Sequence, residues 1–395
     1  MSAPVPLRIA IVGYGTAGQA LAILLGRGGH HVDVFEQSSE LRAVGAGFLL
    51  QPIGMAALGQ TGLLDEVLNC GARIERLFGT NAAGRVVMDM RYDDYRPDCF
   101  GLGLCRGTLF RILENARPES VRVHCGARIV GMHDRTLRDV QQIEHGPFDL
   151  IVAADGANSV MRALATSTAR DSVYPWGAVW CLLPADGWLW PDSLQQRYAG
   201  AREMIGVLPV GAHPDHEADR RWLTFFYSLP GDEVARFDEA ALARLRARVA
   251  ALWPELKFLT DALQTSDQLN RARYRDVVLR RPFRDRLVVV GDAAHGMSPQ
   301  LGQGVNLAML DALALANAIA SEKDIETALR DYARQRASHV AVYQHLSRWL
   351  TPLFQSEHDF LARCRDLAFA PLSRLPLLHG QMLKVLTGGK SGWLN

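Results

Sequence analysis

The chain has 395 residues, 48% of them hydrophobic, and 43 basic against 42 acidic side chains leave a net charge of +1. That length exceeds the roughly 250 to 300 residues at which a single core stops growing, so two domains, in series or interleaved, are expected. Charges of both signs are interspersed, which excludes an electrostatic nucleic-acid partner, and no run approaches the ~18 uninterrupted apolar residues of a membrane span.

At the amino terminus Leu7 to Val12 is an apolar run that continues straight into a glycine turn, which predicts a buried parallel strand rather than a secretory signal. The turn, Gly13-Tyr14-Gly15-Thr16-Ala17-Gly18, opens a helix in which Ala20, Leu21, Leu24 and Leu25 recur at helical spacing. Gly13 permits the tight turn, Gly15 lets backbone approach a pyrophosphate, and Gly18 lets the helix pack on the strand. The helix N-terminus adds free N–H groups and about half a positive charge. A second strand, Val32 to Phe35, ends in Glu36, the acid expected to bind a ribose hydroxyl. This motif by itself does not separate NAD from FAD.

Asp149 to Ala154 predicts another buried strand, running into Asp155-Gly156-Ala157-Asn158-Ser159 with Arg162 on the first turn of the next helix. A glycine turn there sits at the edge where open α/β sheets bind ligands. Arg286 to Val290 is a third such strand, followed by Gly291-Asp292-Ala293-Ala294-His295. Asp292 is placed to accept a hydrogen bond from a polyol hydroxyl, while Gly302 and Gly304 leave backbone N–H groups unobstructed before a helix from Asn306. A helix N-terminus aimed at a ring carbonyl stabilises negative charge, as a reduced flavin requires. His295 reads as structural, with no acid at catalytic spacing. Together the three motifs read as one dinucleotide site, and the last two point to FAD.

Between these strands lie alternating patterns such as Arg85 to Met90 and Arg221 to Leu229, bounded by Gly, Pro and Asp turns. Trp176, Trp180, Tyr198, Met204, Trp222, Phe225 and Tyr227 are candidates to wall an apolar pocket. In His213-Pro214-Asp215-His216 the proline prevents a helical metal-binding pair, so a solvated loop and no metal are expected. The six cysteines show no CxxC pair, which reads as reduced thiols in a cytoplasmic protein. From about residue 346 the tail is helical and rich in Leu, Phe and Arg. It is expected to pack against the domain junction; the alternative is that Leu375 to Leu386 touches a membrane or gates a lipophilic substrate.

Separated motif strands require a discontinuous nucleotide domain at about 1–72, 100–170 and 272–345, with a substrate domain at 73–99 and 171–271 and a helical region at 346–395. The combination of GxGxxG with Glu36, DGxxSxxR at Asp155 to Arg162, and GDAAHxxxPxxGQGxN at Gly291 to Asn306 resembles the single-component FAD-dependent aromatic monooxygenases, the para-hydroxybenzoate hydroxylase-like group. The fold this implies is α/β: a Rossmann-like FAD-binding domain, an inserted mixed or antiparallel β-sheet substrate domain, and a C-terminal helical tail. The implied activity is hydroxylation of an electron-rich, phenolic aromatic by way of a flavin hydroperoxide, with dioxygen and with NADH or NADPH as transient cosubstrate. A monomer or homodimer is expected.

The resemblance also assigns residues. Cys105-Arg106-Gly107 is similar to the family segment whose arginine reaches FAD, and Arg42 to the arginine near the pyrophosphate and nicotinamide. Backbone N–H groups of Gly304, Val305 and Asn306 would stabilise the reduced ring, Pro299 would shape the oxygen side, and Tyr198 would assist phenol deprotonation. The strand Met204 to Val210 lacks the family's substrate-binding arginine, which argues against a benzoate, and Gln51-Pro52-Ile53 departs from the usual proline-asparagine. A flavin halogenase would need a catalytic lysine in the first domain, and no lysine precedes Lys257. A disulfide oxidoreductase would need a cysteine pair after Glu36. The remaining alternatives are a non-catalytic or intermediate-shielding FAD-binding protein, and a flavin oxidoreductase acting on a lipophilic quinol.

Overall fold

Three apolar runs far apart in the chain, Arg8–Val12, Leu150–Ala153 and Leu287–Val289, lie side by side as parallel strands. The computed structural model in which they do so describes residues 5–42, 45–165, 168–217, 219–322 and 324–392; the first four residues of the leading segment are outside it. In the pairing register Val12 lies opposite Ala153, and Ala153 opposite Val289. The three glycine motifs therefore leave one sheet at one edge. His31–Glu36 and Val121–Cys125 extend the parallel sheet on one side, and Phe283–Arg284 closes the other as an antiparallel edge.

Both faces of this sheet are covered, which is why its strands read as continuous apolar runs rather than alternating ones. Ile9, Ile11, Val32, Val34 and Val152 pack with the helices Thr16–Arg27 and Gly304–Ser321. Ala10, Val12, Phe35 and Ile151 pack on the other side with Ile129, Leu137 and Met161. The Gly304–Ser321 helix is long and apolar enough to cross a membrane by composition, but Leu307, Met309 and Leu315 are buried in this core.

A seven-stranded mixed sheet stands beside the first, in the order Asn270–Leu279, Thr168–Pro184, Arg221–Pro230, Glu203–Ala212, Ser193–Ala199, Arg76–Asn81, Val86–Arg91. The sequence boundaries at 170 and 272 fall inside two of these strands, and that at 346 inside the helix Ile325–Phe354. Thr168–Pro184 and Asn270–Leu279 pair with each other from Thr168 opposite Leu279 onward, so both strands belong to the seven-stranded sheet.

Strand alternation corrects the expected aromatic wall. Phe225 and Tyr227 point to the outer face, where with Val179, Ile205 and Val207 they pack on Leu242, Leu245 and Val249 of the helix Glu239–Leu252. Trp222 and Leu208 point inward to Leu49 and Tyr92, and Tyr198 and Met204 inward to Phe354. Residues one apart on a strand face opposite ways, so a single run cannot line one pocket with both sets. The tail follows as Asp359–Ser373 and Pro376–Leu386. Its stretch Leu375 to Leu386 divides: Leu375, Leu377 and Leu378 are exposed, while Leu383 and Leu386 are buried at the junction of the sheets.

The layers are tied by a buried charge cluster. Asp311, on the long apolar helix Gly304–Ser321, is fully buried; it accepts from Gly291 N (2.8 Å) and Arg336 Nε (2.7 Å) and pairs with His295 Nε2 (2.5 Å). Burial by itself would raise its pKa, but His295 and Arg336 outweigh that and hold it well below the usual carboxylate range. Arg336 in turn pairs with His339 Nδ1 (2.9 Å). Burial and the Arg336 charge pull His339 down to about 4.

These shifts contribute to the acid response. An unfolded histidine titrates near pH ~6.5, so between about 6.5 and 4 the unfolded chain takes up a proton that folded His339 refuses, at a cost of at most roughly 3 kcal/mol. Asp311 stabilises fully above its unfolded pKa of about 3.9, and that contribution drains as pH falls further. Denaturant midpoints measured from pH 7 to 3 should fall in these two stages, and His339→Gln should flatten the upper one alone. Asp311→Asn should cost about 3–5 kcal/mol at neutral pH, because it leaves the Arg336 cation buried without its counter-charge.

Candidate functional site

The first glycine turn is built by contacts that only missing side chains allow. Gly13 has φ of 101°, and a Cβ there would stand 2.4 Å from the carbonyl oxygen of Ala154; on Gly18 it would stand 2.1 Å from that of Gly13. Gly15 differs: nothing lies within 4 Å of a Cβ placed on it. It faces an open cleft lined by Thr16, Glu36, Arg42, Phe48 and Arg106. The ladder of the following helix begins with Gln19 N donating to Gly15 O (2.9 Å), and no side chain caps it. The N–H groups of Thr16, Ala17 and Gly18 thus have no partner within the helix. That is an anion site in both geometry and dipole.

Glu36 is held at the cleft by accepting from Tyr14 N (2.9 Å) on one oxygen and Ser38 N (2.8 Å) on the other. Each oxygen keeps a second lone pair for a hydroxyl donor. Arg106 opens the helix Arg106–Asn115, and its Cδ would lie 2.2 Å from a Cβ on Gly45. Protein packed around its guanidinium pulls its pKa down and the Asp292 carboxylate pulls it back up, although the residue stays exposed along the cleft. Asp292 and Arg106, from opposite ends of the sequence, therefore act on one another.

The second and third turns meet the first. Asp155 Oδ2 accepts from Val160 N (2.9 Å) and Met161 N (3.3 Å), whereas its Oδ1 is buried with no partner. Ser159 caps Arg162 N (2.9 Å), and Arg162 donates to Ala293 O (2.9 Å) of the third motif and to Asp171 (2.9 Å). A Cβ on Gly291 would sit 3.0 Å from that of Ala17, so motifs one and three touch. Pro299 begins the turn Pro299–Leu301, Gly302 follows at φ of 60°, and the Asp292 carboxylate lies 3.7 Å from a Cβ placed on Gly304.

The helix Gly304–Ser321 begins its ladder with Leu307 N donating to Gln303 O (2.9 Å), leaving the N–H groups of Gly304, Val305 and Asn306 without helical partners. The Asn306 side chain is engaged internally: it accepts from Gln51 N (2.8 Å) and donates to Gly302 O (3.0 Å). Gln51, the residue that departs from the usual pattern, accepts from Tyr92 OH (2.7 Å), and its Nε2 is buried without a partner. An unmet acceptor on Asp155, an unmet donor on Gln51, two bare helix N-termini and the open side of Gly15 fit a dinucleotide carrying a polyol and a ring with hydrogen-bonding edges.

Sequence reasoning missed two residues here. His295 does have an acid, Asp311, sixteen positions along. The signal was a lone aspartate within a long apolar helix, which needs a buried partner. The second is Arg365 of the tail, buried with its Cζ 4.8 Å from the ring centre of Tyr198. It donates to Leu353 O (2.9 Å) and Asp366 Oδ1 (2.6 Å), so its charge is met. Tyr198 is itself buried, donates to Gln196 Oε1 (3.0 Å), and burial pushes its phenol well above the usual range. His213 and His216 lie against Trp222, at 5.2 and 4.5 Å between ring centres.

The sequence profile of the FAD binding domain family matches residues 7–344. The chain is 29% identical over 349 residues to a Rhodococcus erythropolis protein provisionally named a 2-heptyl-3-hydroxy-4(1H)-quinolone synthase, with 86% of each chain covered. It is 27% identical over 377 residues to the 6-hydroxynicotinate 3-monooxygenase of Pseudomonas fluorescens, covering 87% of this chain and 91% of the other. Among solved structures, Klebsiella pneumoniae HpxO complexed with FAD and uric acid superimposes with a TM-score of 0.81 over 98% of both chains, at 22% identity.

The contrast between two glycines tests the site directly. Gly15→Ala should leave the unliganded chain within about 0.5 kcal/mol of wild type and weaken FAD binding in a fluorescence titration, because its methyl group enters only the cleft. Gly18→Ala should instead destabilise the unliganded chain by roughly 1–3 kcal/mol in thermal unfolding, since that methyl group meets backbone.

Proposed function

The chain belongs to the FAD binding domain family, and from that we propose the reaction: electrons from NADH or NADPH are used to place one atom of dioxygen on an electron-rich, largely apolar aromatic ring. It is a flavoprotein monooxygenase, an oxidoreductase with FAD as cofactor. The observation that carries the reading is the convergence of three glycine turns, with their unmet polar atoms, on one edge of one parallel sheet. Bound FAD supplies the redox chemistry, accepting reducing equivalents and activating dioxygen.

The chain's own residues then have distinct tasks. Gly13, Gly15, Ala17 and Gly18 present the first helix N-terminus to the pyrophosphate, Glu36 takes ribose hydroxyls, and Arg42 and Arg106 offset phosphate charge. Asp155 and Asp292 accept from the polyol chain. The N–H groups of Gly304, Val305 and Asn306 stabilise negative charge on the ring without reorganising. Pro299 shapes the side from which oxygen reaches substrate, and the inward face of the seven-stranded sheet keeps that space dry.

Tyr198, a phenol that is protonated at neutral pH in any case and that burial makes still harder to ionise, acts as a hydrogen-bond donor that orients Gln196 rather than as a base. Arg365 is already paired with Asp366, which favours a neutral phenol or hydroxylated nitrogen heterocycle over a benzoate. The name of one relative, a quinolone synthase, supports that class, and that of another, a hydroxynicotinate monooxygenase, supports a hydroxylated nitrogen heterocycle though its substrate is an acid. All six cysteines are free thiols, which supports a reducing, cytoplasmic setting. We assign a monomer or homodimer, with the substrate held by residues 73–99 and 171–271.

Purified protein should be yellow, and a panel of phenols, hydroxypyridines and quinolones should contain compounds that accelerate NAD(P)H oxidation and gain one oxygen atom by mass. A yellow protein that no member of the panel accelerates would overturn the reading. Tyr198→Phe should retain FAD and lose roughly tenfold or more in kcat; loss of FAD instead would remove Tyr198 from its assigned role.

A further inference from the structure

The last helix of the chain ends against the flavin site, and its final carbonyls are where the contact is made. A helix leaves its last four carbonyl groups without internal partners. At the end of Pro376–Leu386 the Leu383 carbonyl is taken by Thr387 N of its own turn (2.9 Å), while the carbonyls of Val385 to Gly388 are met by groups from other elements. Gln303 Nε2 donates to Leu386 O (2.9 Å) and Val385 O (3.3 Å), and Tyr343 OH donates to Val385 O (3.0 Å). Ile53 N donates to Thr387 O (3.3 Å), and His339 Nε2 pairs with Gly388 O (3.0 Å).

We infer that the C-terminal turn Val385–Gly388 is a positioning element of the flavin site, acting through Gln303 and the Gln51–Ile53 turn. Gln303 is the residue from which the Gly304–Ser321 helix departs, and its carbonyl accepts the first bond of that helix from Leu307 N (2.9 Å). Its side chain is 2% exposed, and its Oε1 is buried without a partner. Clamping that side chain fixes the direction of the N–H groups that follow it.

The same turn reaches the site by two further routes. Ile53 adjoins Gln51, whose N–H donates to Asn306 Oδ1 (2.8 Å). His339 continues through Arg336 and Asp311 to the backbone N–H of Gly291. Position 388 must be glycine for the turn to dock: its φ is 84°, and a Cβ there would stand 2.2 Å from Ile53 Cγ2. A ring of contacts thus closes around the helix N-terminus, and one side of it comes from the extreme end of the described chain.

The consequence rests on the proposed FAD site. With the turn docked, the donors at Gly304 to Asn306 are pre-organised and shielded; with it undocked they must reorganise and admit water. The cofactor would then bind more weakly, its reduction would be less favourable, and more of the NAD(P)H consumed would reduce dioxygen to hydrogen peroxide, one per NAD(P)H and proton taken up, without oxygenating substrate.

Two variants of the full chain test this. Gly388→Ala drives the turn off Ile53, with its methyl group also 3.4 Å from Gln303 Oε1, and Gln303→Leu removes the donor while keeping the bulk. Both should weaken FAD roughly tenfold, the worth of two neutral hydrogen bonds, and both should shift the reduction potential of bound FAD downward and raise peroxide release. Wild-type affinity and potential in Gln303→Leu, or in a Gly388→Ala protein whose tail has become protease-sensitive, would overturn the inference. If Gly388→Ala does not fold, Gln303→Leu decides. A wild-type chain that takes up no FAD would instead sink the reading on which the inference rests.

Discussion

The structure depends on a register. Val12, Ala153 and Val289 stand opposite one another in adjacent parallel strands, so the three turns that follow leave the sheet within reach of each other. Parallel strands cannot be joined by tight turns and need long crossovers, which is how the turns come to lie far apart in the chain yet share one edge. Shifting any of the three strands by one residue would exchange the faces its side chains pack on and carry its glycine turn away from the others. Burial on both faces resists that shift.

Holding such an edge together requires more than strand pairing, because turns rich in glycine have few side chains to pack. Arg162 and Asp311 meet that need. Arg162 crosses from the second turn to Ala293 of the third, and Asp311 reaches from the apolar helix to Gly291 N and His295. Buried ions of this kind are poor sources of stability compared with apolar packing. Their value here is directional: each joins a named backbone group to a distant element, and so sets where the turns point. Asp155 Oδ1 and Gln51 Nε2 remain buried without hydrogen-bond partners, which carries a desolvation cost until a partner meets them.

The seven-stranded sheet and the C-terminal helices supply the remaining walls. One face of the sheet is closed by the helix Glu239–Leu252 and the other looks toward the nucleotide domain. The tail fills the gap between them, with Arg365 against Tyr198 and Leu383 and Leu386 among the inward side chains. The polar groups of this inward face therefore come from both the inserted sheet and the tail, while the charge of Arg365 is neutralised within its own helix by Asp366.

Much of this was legible in the sequence because it rests on local rules. A glycine that must take a positive φ, an apolar run buried on both faces, and an acid ending the second strand are each set by steric or solvation demands that act within a few residues. The nucleotide site and the layered α/β fold follow from those, the FAD chemistry from the resemblance carried by the combined motifs, and Gly13, Gly18, Glu36 and Asp292 lie around one cleft and its adjoining turns. Contacts between positions tens to hundreds of residues apart leave no such local trace. The partnership of His295 with Asp311, the outward turn of Phe225 and Tyr227, the cation beside Tyr198 and the docking of Val385–Gly388 on Gln303 and Ile53 were decided only by tertiary packing, because a side chain's partner is chosen by which surfaces meet.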